Sequence, residues 1–416
     1  MPRTRPTTSV RIREAAGVLV ALVAVLVAAC APIGATPAIP GGPTGTAGTA
    51  SASPTDTTAA PPRQVDVLVA GDLLWHSTTW KSAAEDAAGP GTNADGDRPD
   101  EQGFDFAPMF GSMADVIADA DLAVCNEEVP IAPAGGPYEN YPSFSVPAQV
   151  TDGIAEAGYD VCTTATNHSM DQGTAGIVRT VKAFDRAGVA HTGAYATKKA
   201  ADTPLVVTTE SGVTVGIVAG TYGLNGYQVP RDQPWAVDML DDDAMIARAK
   251  DVRRAGADIV IAAMHDGTEY TAAPIPEQVD HAKALTASGQ FDLVYGHHAH
   301  VVQPWDKVNG TWVVYGLGNQ IAQQSTDRPR TYEGITAEFR FTETPAGDFE
   351  VTRATAIPTL MTHYTPGQPA RLVHVTAALD GAAPIPPGVT EKRLKQARDR
   401  TMADVRSLGA DGISVG

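Results

Sequence analysis

Metal-capable side chains of several types cluster in a few short stretches. "GDLLWH" offers Asp72 and His76, "NEE" ends on Glu128, and "ATNHSMDQG" places Asn167, His168 and Asp171 within five positions. "AMHDGTEY" carries His265 and Glu269, and "YGHHAHVVQP" carries His297, His298 and His300. A single histidine of this kind is more often an exposed loop residue than a ligand. Here five of the chain's ten histidines fall in three of these stretches, which favours one shared site. Carboxylates, an amide and imidazoles without thiolate form a hard-to-borderline ligand set, suited to Mn, Fe, Zn or Mg and unsuited to Cu(I) or an iron–sulfur cluster. The set exceeds one tetrahedral site. It implies two divalent metal ions bridged by a carboxylate or a water, a pair that stands about 3.5–4 Å apart and activates water as a nucleophile.

Each stretch follows an apolar run of the kind that forms a buried strand. Runs at 65–70, 122–125, 161–164, 213–219, 259–264 and 293–295 read as parallel strands, and helical periodicity appears between them at 109–118, 150–157, 175–187, 242–255 and 276–288. Such alternation implies a layered α/β fold. In open α/β sheets, ligand sites form beyond the carboxyl ends of the strands, so five strands aim ligand-type residues at one edge. Further strands at 311–317, 334–341 and 349–357 suggest a second sheet packed on the first, and 392–408 reads as a terminal helix.

The first 63 residues read as something other than fold. Arg3, Arg5, Arg11 and Arg13 head an apolar run, 15–27, that is too short to span a bilayer comfortably. It ends in Val27-Ala28-Ala29-Cys30, which resembles a bacterial lipobox, so residues 1–30 are expected to be a lipoprotein signal peptide with Cys30 as the site of lipid attachment. The expected location is the cell membrane, lipid-anchored on the extracellular face. Residues 31–63, almost entirely Ala, Gly, Pro, Ser and Thr, lack the apolar periodicity that could offset ordering entropy and read as a disordered linker, leaving 64–416 as the folded domain. With 43% apolar and 19% charged residues, the chain as a whole has enough apolar content for a sizeable core.

Net charge is −18, and since residues 1–29 carry +3, the chain from Cys30 onward carries −21. A surface this acidic is a poor general binder of nucleic acid, and an anionic substrate needs local positive charge that metal ions could supply. Cys125 and Cys162 look like a pair in an exported protein, but one ends a strand and the other starts one. Parallel neighbours would then hold them out of register, so two buried free thiols are expected. "NADGDRPDE", 93–101, has Arg98 where a calcium loop needs Gly and reads as a polar insertion at the rim.

Taken in order, "GDLLWH", "NEEVP", "ATNHSMDQG", "MHDGTEY", "YGHHAHVVQP" and "VVYGLGN" resemble the successive motifs of the CapA family of poly-γ-glutamate capsule biosynthesis proteins, which share the calcineurin-like metallophosphoesterase fold. The resemblance spans about 65–319 and implies a four-layer α/β/β/α sandwich. It implies Asp72 as the first metal carboxylate and Glu128 as the bridging acid. Asn167 becomes a metal-binding amide, His168 a proton donor, and His265, His298 and His300 the imidazole ligands. His76 joins the candidate ligands, and Glu269 and His297 are candidates for substrate contact. Asp171 either orients His168 or caps the helix that follows. Glu127, Asp266, Gly316 and Gln320 depart from the family pattern without removing a ligand.

These readings converge on a membrane-tethered, metal-dependent protein of capsule synthesis, export or processing, working beside capsule-synthesis membrane proteins on an anionic polymer or a phosphoester. Hydrolysis is the chemistry the implied fold favours. A non-catalytic surface component that binds a polyanion, or a metal-dependent peptide epimerase, remain alternatives.

Overall fold

The computed structural model describes residues 61–89 and 103–416; the expected signal peptide with Cys30, the linker up to residue 60 and the 93–101 insertion lie outside the described residues. The chain opens with β1 (Gln64–Leu73), β2 (Leu122–Glu127), β3 (Val161–Thr163) and β4 (Ala190–Thr192), which pair in parallel in that order. It then builds a second sheet from β5 (Val206–Thr208), β6 (Thr214–Thr221), β7 (Ile259–Asp266), β8 (Leu293–His298), β9 (Trp305–Val308) and β10 (Thr311–Val314), in the order β5-β6-β7-β8-β10-β9. Finally it returns to the first sheet. There β11 (Asn319–Ile321) pairs in parallel with the end of β1 on the side away from β2, β12 (Glu333–Glu343) pairs antiparallel with the earlier part of β1 on that same side, and β13 (Phe349–Met361) and β14 (Leu372–His374) follow outward. The last strand, β15 (Ile413–Val415), pairs with β13.

Period-two alternation explains how the layers stack. Val65, Val67 and Val69 of β1 share a core with Val215, Ile217, Ile259, Ile261 and Leu293 of the second sheet, so these faces of the two sheets meet. Leu68 and Ala70 point the other way, onto a core shared with Trp80, Ile117, Ile154 and Phe184 from helices. On the far face of the second sheet, Val218, Val260, Ala262 and Val294 pack on Met245, Val252, Ala282 and Leu285 of helices Asp242–Arg254 and Pro276–Ala287. The layers therefore run helices, sheet, sheet, helices. Each fully buried Val, Ile or Leu stabilises this arrangement by about 1.5–3 kcal/mol.

Three expectations are corrected. The strands read at 213–219, 259–264 and 293–295 belong with the one at 311–314 in the second sheet, while those read at 334–341 and 349–357 join the first, so the ligand-type residues come from two sheets and not from one edge. The helix read at 109–118 is a 3-10 stretch, Ala107–Met113, followed by a short helix, Ala114–Asp119. Gly111 breaks it at φ 51, where a Cβ would meet Leu372 O at 2.3 Å. The cysteines are not free thiols: Cys125 and Cys162 form a disulfide with Cα atoms 4.5 Å apart. The strand ends were misplaced, because β2 runs two residues past Cys125 and β3 enters opposite Val124, which sets the two cysteines directly across from each other.

Candidate metal centre

The first sheet delivers acids. Asp72, fully buried near the end of β1, reaches its place because β1 passes close to Gly318: the Asp72 N–H donates to Gly318 O at 3.1 Å. A Cβ on the preceding Gly71 would fall 2.0 Å from that same carbonyl oxygen, so only glycine fits. Asp72 Oδ1 accepts from Asn126 Nδ2 at 2.9 Å, and Asn126 Oδ1 in turn accepts from Thr163 Oγ1 at 2.8 Å. Glu128 follows β2, its N–H donating to Leu73 O at 3.3 Å and its carbonyl accepting from Thr166 Oγ1 at 2.6 Å. Glu127 points elsewhere, accepting from Trp75 Nε1 at 2.8 Å.

The second sheet delivers imidazoles from the ends of β7 and β8. His298 and His300 both hold positive φ, 85° and 56°, a region that costs a non-glycine residue about 1–3 kcal/mol. This bend brings His298 N–H to Asp72 Oδ2 at 3.2 Å and His300 Nδ1 to 3.4 Å from the same oxygen. His300 Nε2 stands 3.7 Å and His265 Nε2 4.0 Å from Glu128 Oε1.

The result is two groups of ligand atoms, each within 4.8 Å of one another: Glu128, His265 and His298 form one, and Asp72, Glu128 and His300 the other. Glu128 belongs to both. Both of its carboxylate oxygens are buried without a hydrogen-bond partner among the described residues, as are Nδ1 of His265 and Nδ1 of His298. A buried carboxylate left so is costly unless a cation completes it, so the donor set fits divalent metal ions.

Burial and the cluster's own charges perturb each of these groups. Burial pushes the Glu128 carboxyl well above its ordinary range despite His300, with Asp72 and Glu269 adding to the shift. Burial also drives His298 down to about 4, with His300 adding to it, and His265 well below the usual imidazole range, which leaves both neutral and able to ligate. Asp72 is held well below the carboxylate range because His297 and His300 outweigh its burial. Burial lowers His300 too, but Glu128 and Asp72 more than reverse this and raise it to about 10.

Beside the ligands, Asn167 and His168 diverge. Asn167 Oδ1 approaches His265 Nε2 to 2.7 Å, converging on the ligand space. His168 Nδ1 lies 2.6 Å from Asp171 Oδ2, which also accepts from Phe144 N–H at 2.8 Å. Asp171 does not cap the next helix, Gly173–Ala187, whose N-cap is Gln172. His76 lies outside both ligand groups; it is the N-cap residue of helix Ser77–Ala88, and its Nδ1 accepts from Gln323 N–H at 3.2 Å. His297 is buried with Nδ1 3.0 Å from Asp72 Oδ1, and exposed Glu269 acts through its charge on His298, His300 and Glu128.

Three asparagines that orient these groups were not singled out from the sequence. Asn126 holds Asp72, and Asn319 places Oδ1 2.9 Å from His300 Nδ1. Asn225 accepts from Asn167 Nδ2 at 3.1 Å and sets its own Nδ2 3.3 Å from His168 Nδ1, with φ 49. Its only sequence signal is the turn dipeptide Asn-Gly, which predicts a loop and nothing about its destination.

Residues 66–324 match the family model described as bacterial capsule synthesis protein PGA_cap. The chain belongs to this family. Curated relatives of this PGA_cap chain include the capsule biosynthesis protein CapA of Bacillus anthracis, 32% identical over 45% of this chain and 46% of that one. Another is the PGA biosynthesis protein CapA of Bacillus subtilis, 28% identical over 48% and 51%. A probable polyglutamine synthesis accessory protein of Mycobacterium tuberculosis is 34% identical over 42% and 46%. The chain spans about half the length of the curated relatives it matches. Among solved structures it resembles the calcineurin-like phosphoesterase YfkN of Bacillus subtilis, with TM-score 0.42 and 15% identity over 83% of this chain and all of that one.

Proposed function

We propose that this PGA_cap protein is a metal-dependent hydrolase of poly-γ-glutamate capsule metabolism, cleaving an amide or a phosphoester bond at the outer face of the cell membrane. The observation that carries the reading is Glu128's membership of both ligand groups, the pattern expected of an acid that bridges two divalent ions. Asp72 and His300 would hold one ion, His265 and His298 the other, with Asn167 converging on the second group. When bound, the ions supply Lewis acidity and an activated water nucleophile.

The remaining steps belong to the chain. Asp171 accepts the His168 Nδ1–H, which orients the ring so that Nε2, when it also carries a proton, can give it to a leaving group. Asn225 Oδ1 accepts from Asn167 Nδ2, which turns the Asn167 amide so that its Oδ1 faces His265. Gln303 steadies the loop that carries Glu269, donating to Thr271 O at 2.9 Å and accepting from Gln278 Nε2 at 2.9 Å. A buried His–Asp pair beside the ligands favours catalysis over a purely polyanion-binding role, which has no use for an oriented proton donor. The names of the relatives support the capsule polymer as the context, and a lipid on Cys30 with capsule-synthesis membrane proteins as neighbours fits the leader.

The test is elemental metal analysis of the full-length chain, followed by assays on γ-linked glutamate oligomers and on phosphomonoesters and diesters. Two metal equivalents and turnover of either substrate class support the reading. A metal-loaded chain inert to every one of these substrates refutes it. Cys30→Ala should leave the protein unprocessed or free of membranes; a cleaved variant that still fractionates with membranes would refute the tether.

A further inference from the structure

Cations are scarce on this acidic chain, and most of those described are tied up. Arg63, Arg248, Arg340, Arg371 and Arg393 each pair with one or more carboxylates. Arg328 is different. Among the described residues it forms no ion pair, and its guanidinium lies over the Tyr270 ring, 3.9 Å from the centroid. A guanidinium held over an aromatic face can keep its N–H donors open to a carboxylate or a phosphate.

The platform under Arg328 is tied to the ligands. Tyr270 packs on His300 with ring centroids 6.1 Å apart, and its N–H donates to Ala299 O at 2.7 Å. The segment carrying Arg328 is also fixed: its carbonyl accepts from the N–H and Oγ1 of Thr331, at 3.0 and 2.8 Å. Asn319, which orients His300, donates to Thr331 O at 2.8 Å and to Gln324 Oε1 at 3.2 Å. One run of contacts therefore connects the Arg328 guanidinium to a metal-ligand imidazole. Exposed Glu269 brings negative charge to the same rim, which would repel an anion unless a cation offset it.

We infer that Arg328, held over Tyr270, binds an oxyanion of the substrate, a carboxylate or a phosphate, beside the metal centre. The inference rests on the hydrolase reading above and gives it a substrate class. A γ-linked glutamate polymer carries a free carboxylate on every repeat, so a bond placed at the metals brings a carboxylate to the rim. A phosphate monoester offers the same chemistry through its oxygens.

Equilibrium binding to the full-length chain, with its metal content measured alongside, tests this with two probes: a γ-linked glutamate oligomer and phenyl phosphate. Arg328→Gln should weaken the oxyanion probe about tenfold or more with metal content unchanged. Arg328→Lys should recover only part of the affinity, because it keeps charge without the fork. The probe that loses affinity identifies the carboxylate or the phosphate. Equal binding by parent and Arg328→Gln overturns the inference and leaves the hydrolase reading standing. Loss of metal in Arg328→Gln makes the residue structural and overturns the inference as well. A metal-loaded parent that binds neither probe overturns the inference, whereas inertness in the turnover assays is what refutes the hydrolase reading.

Discussion

Replacing His168 and Asp171 separates proton transfer from metal binding. His168 sits among the ligands yet belongs to neither ligand group, and its Nδ1 meets Asp171 Oδ2 at 2.6 Å with the Asp171 side chain fully buried. A buried, charge-assisted bond of this kind is worth about 1.5–3 kcal/mol, which corresponds to roughly 10- to 100-fold in rate if it acts only on the transition state. Asp171→Asn should therefore slow turnover by about that factor, since its amide oxygen can still accept from Phe144 N–H and Nδ1 but no longer carries the negative charge. His168→Gln removes the donor itself and should cost about 10²- to 10⁴-fold. Both variants should keep parental metal content. The assay is kcat on two substrates that differ in leaving group, with elemental analysis of each preparation. A p-nitrophenolate leaving group needs no proton and should suffer less from His168→Gln than an alkoxide or an amine. Equal losses on both leaving groups, or loss of metal, would refute His168 as the proton donor.

Glu128→Gln should reduce occupancy of both ions together, whereas His298→Ala should reduce one first; elemental analysis at limiting metal distinguishes the two patterns. Asn225→Ala should lower metal occupancy by freeing the Asn167 amide, which elemental analysis at limiting metal checks. Replacing both Cys125 and Cys162 by Ala should destabilise the fold by about 2–4 kcal/mol, the usual worth of a cross-link across a few tens of residues, and shift the urea midpoint down accordingly. Gly71→Ala should cost more than about 1 kcal/mol through the clash with Gly318 O, lowering the melting temperature and metal content together as Asp72 moves.

The neighbourhood of each strand end was legible because a buried parallel strand is an uninterrupted apolar run, and the first polar residue after it marks the end to within one or two residues. Asp72, Glu128, Asn167, His265 and His298 could be read that way, since all of them lie at or just past strand ends. His76 could not. It follows Asp72 by four positions, but after Leu73 the chain turns into a helix and carries the ring towards Gln323. The cysteine pairing failed for a related reason: one or two residues of strand length decide register, and apolar runs do not fix ends that closely. Short strands such as β4, β11 and β15 carry too few residues for a pattern and form only because a neighbouring strand is already in place. Asn225 and Arg328 act from loops whose course depends on tertiary contacts, so their types and positions announced nothing.

The ligands come from both sheets: Asp72 and Glu128 extend from strands of the first, and His265 and His298 end strands of the second. Bound cations would thus act as rivets through a seam otherwise held by apolar side chains. Prising that seam apart would require releasing the ions, so occupancy and resistance to opening rise together by mass action. Protease sensitivity of the purified protein, with and without a chelator, would then report how fully it is metallated, before any substrate is known.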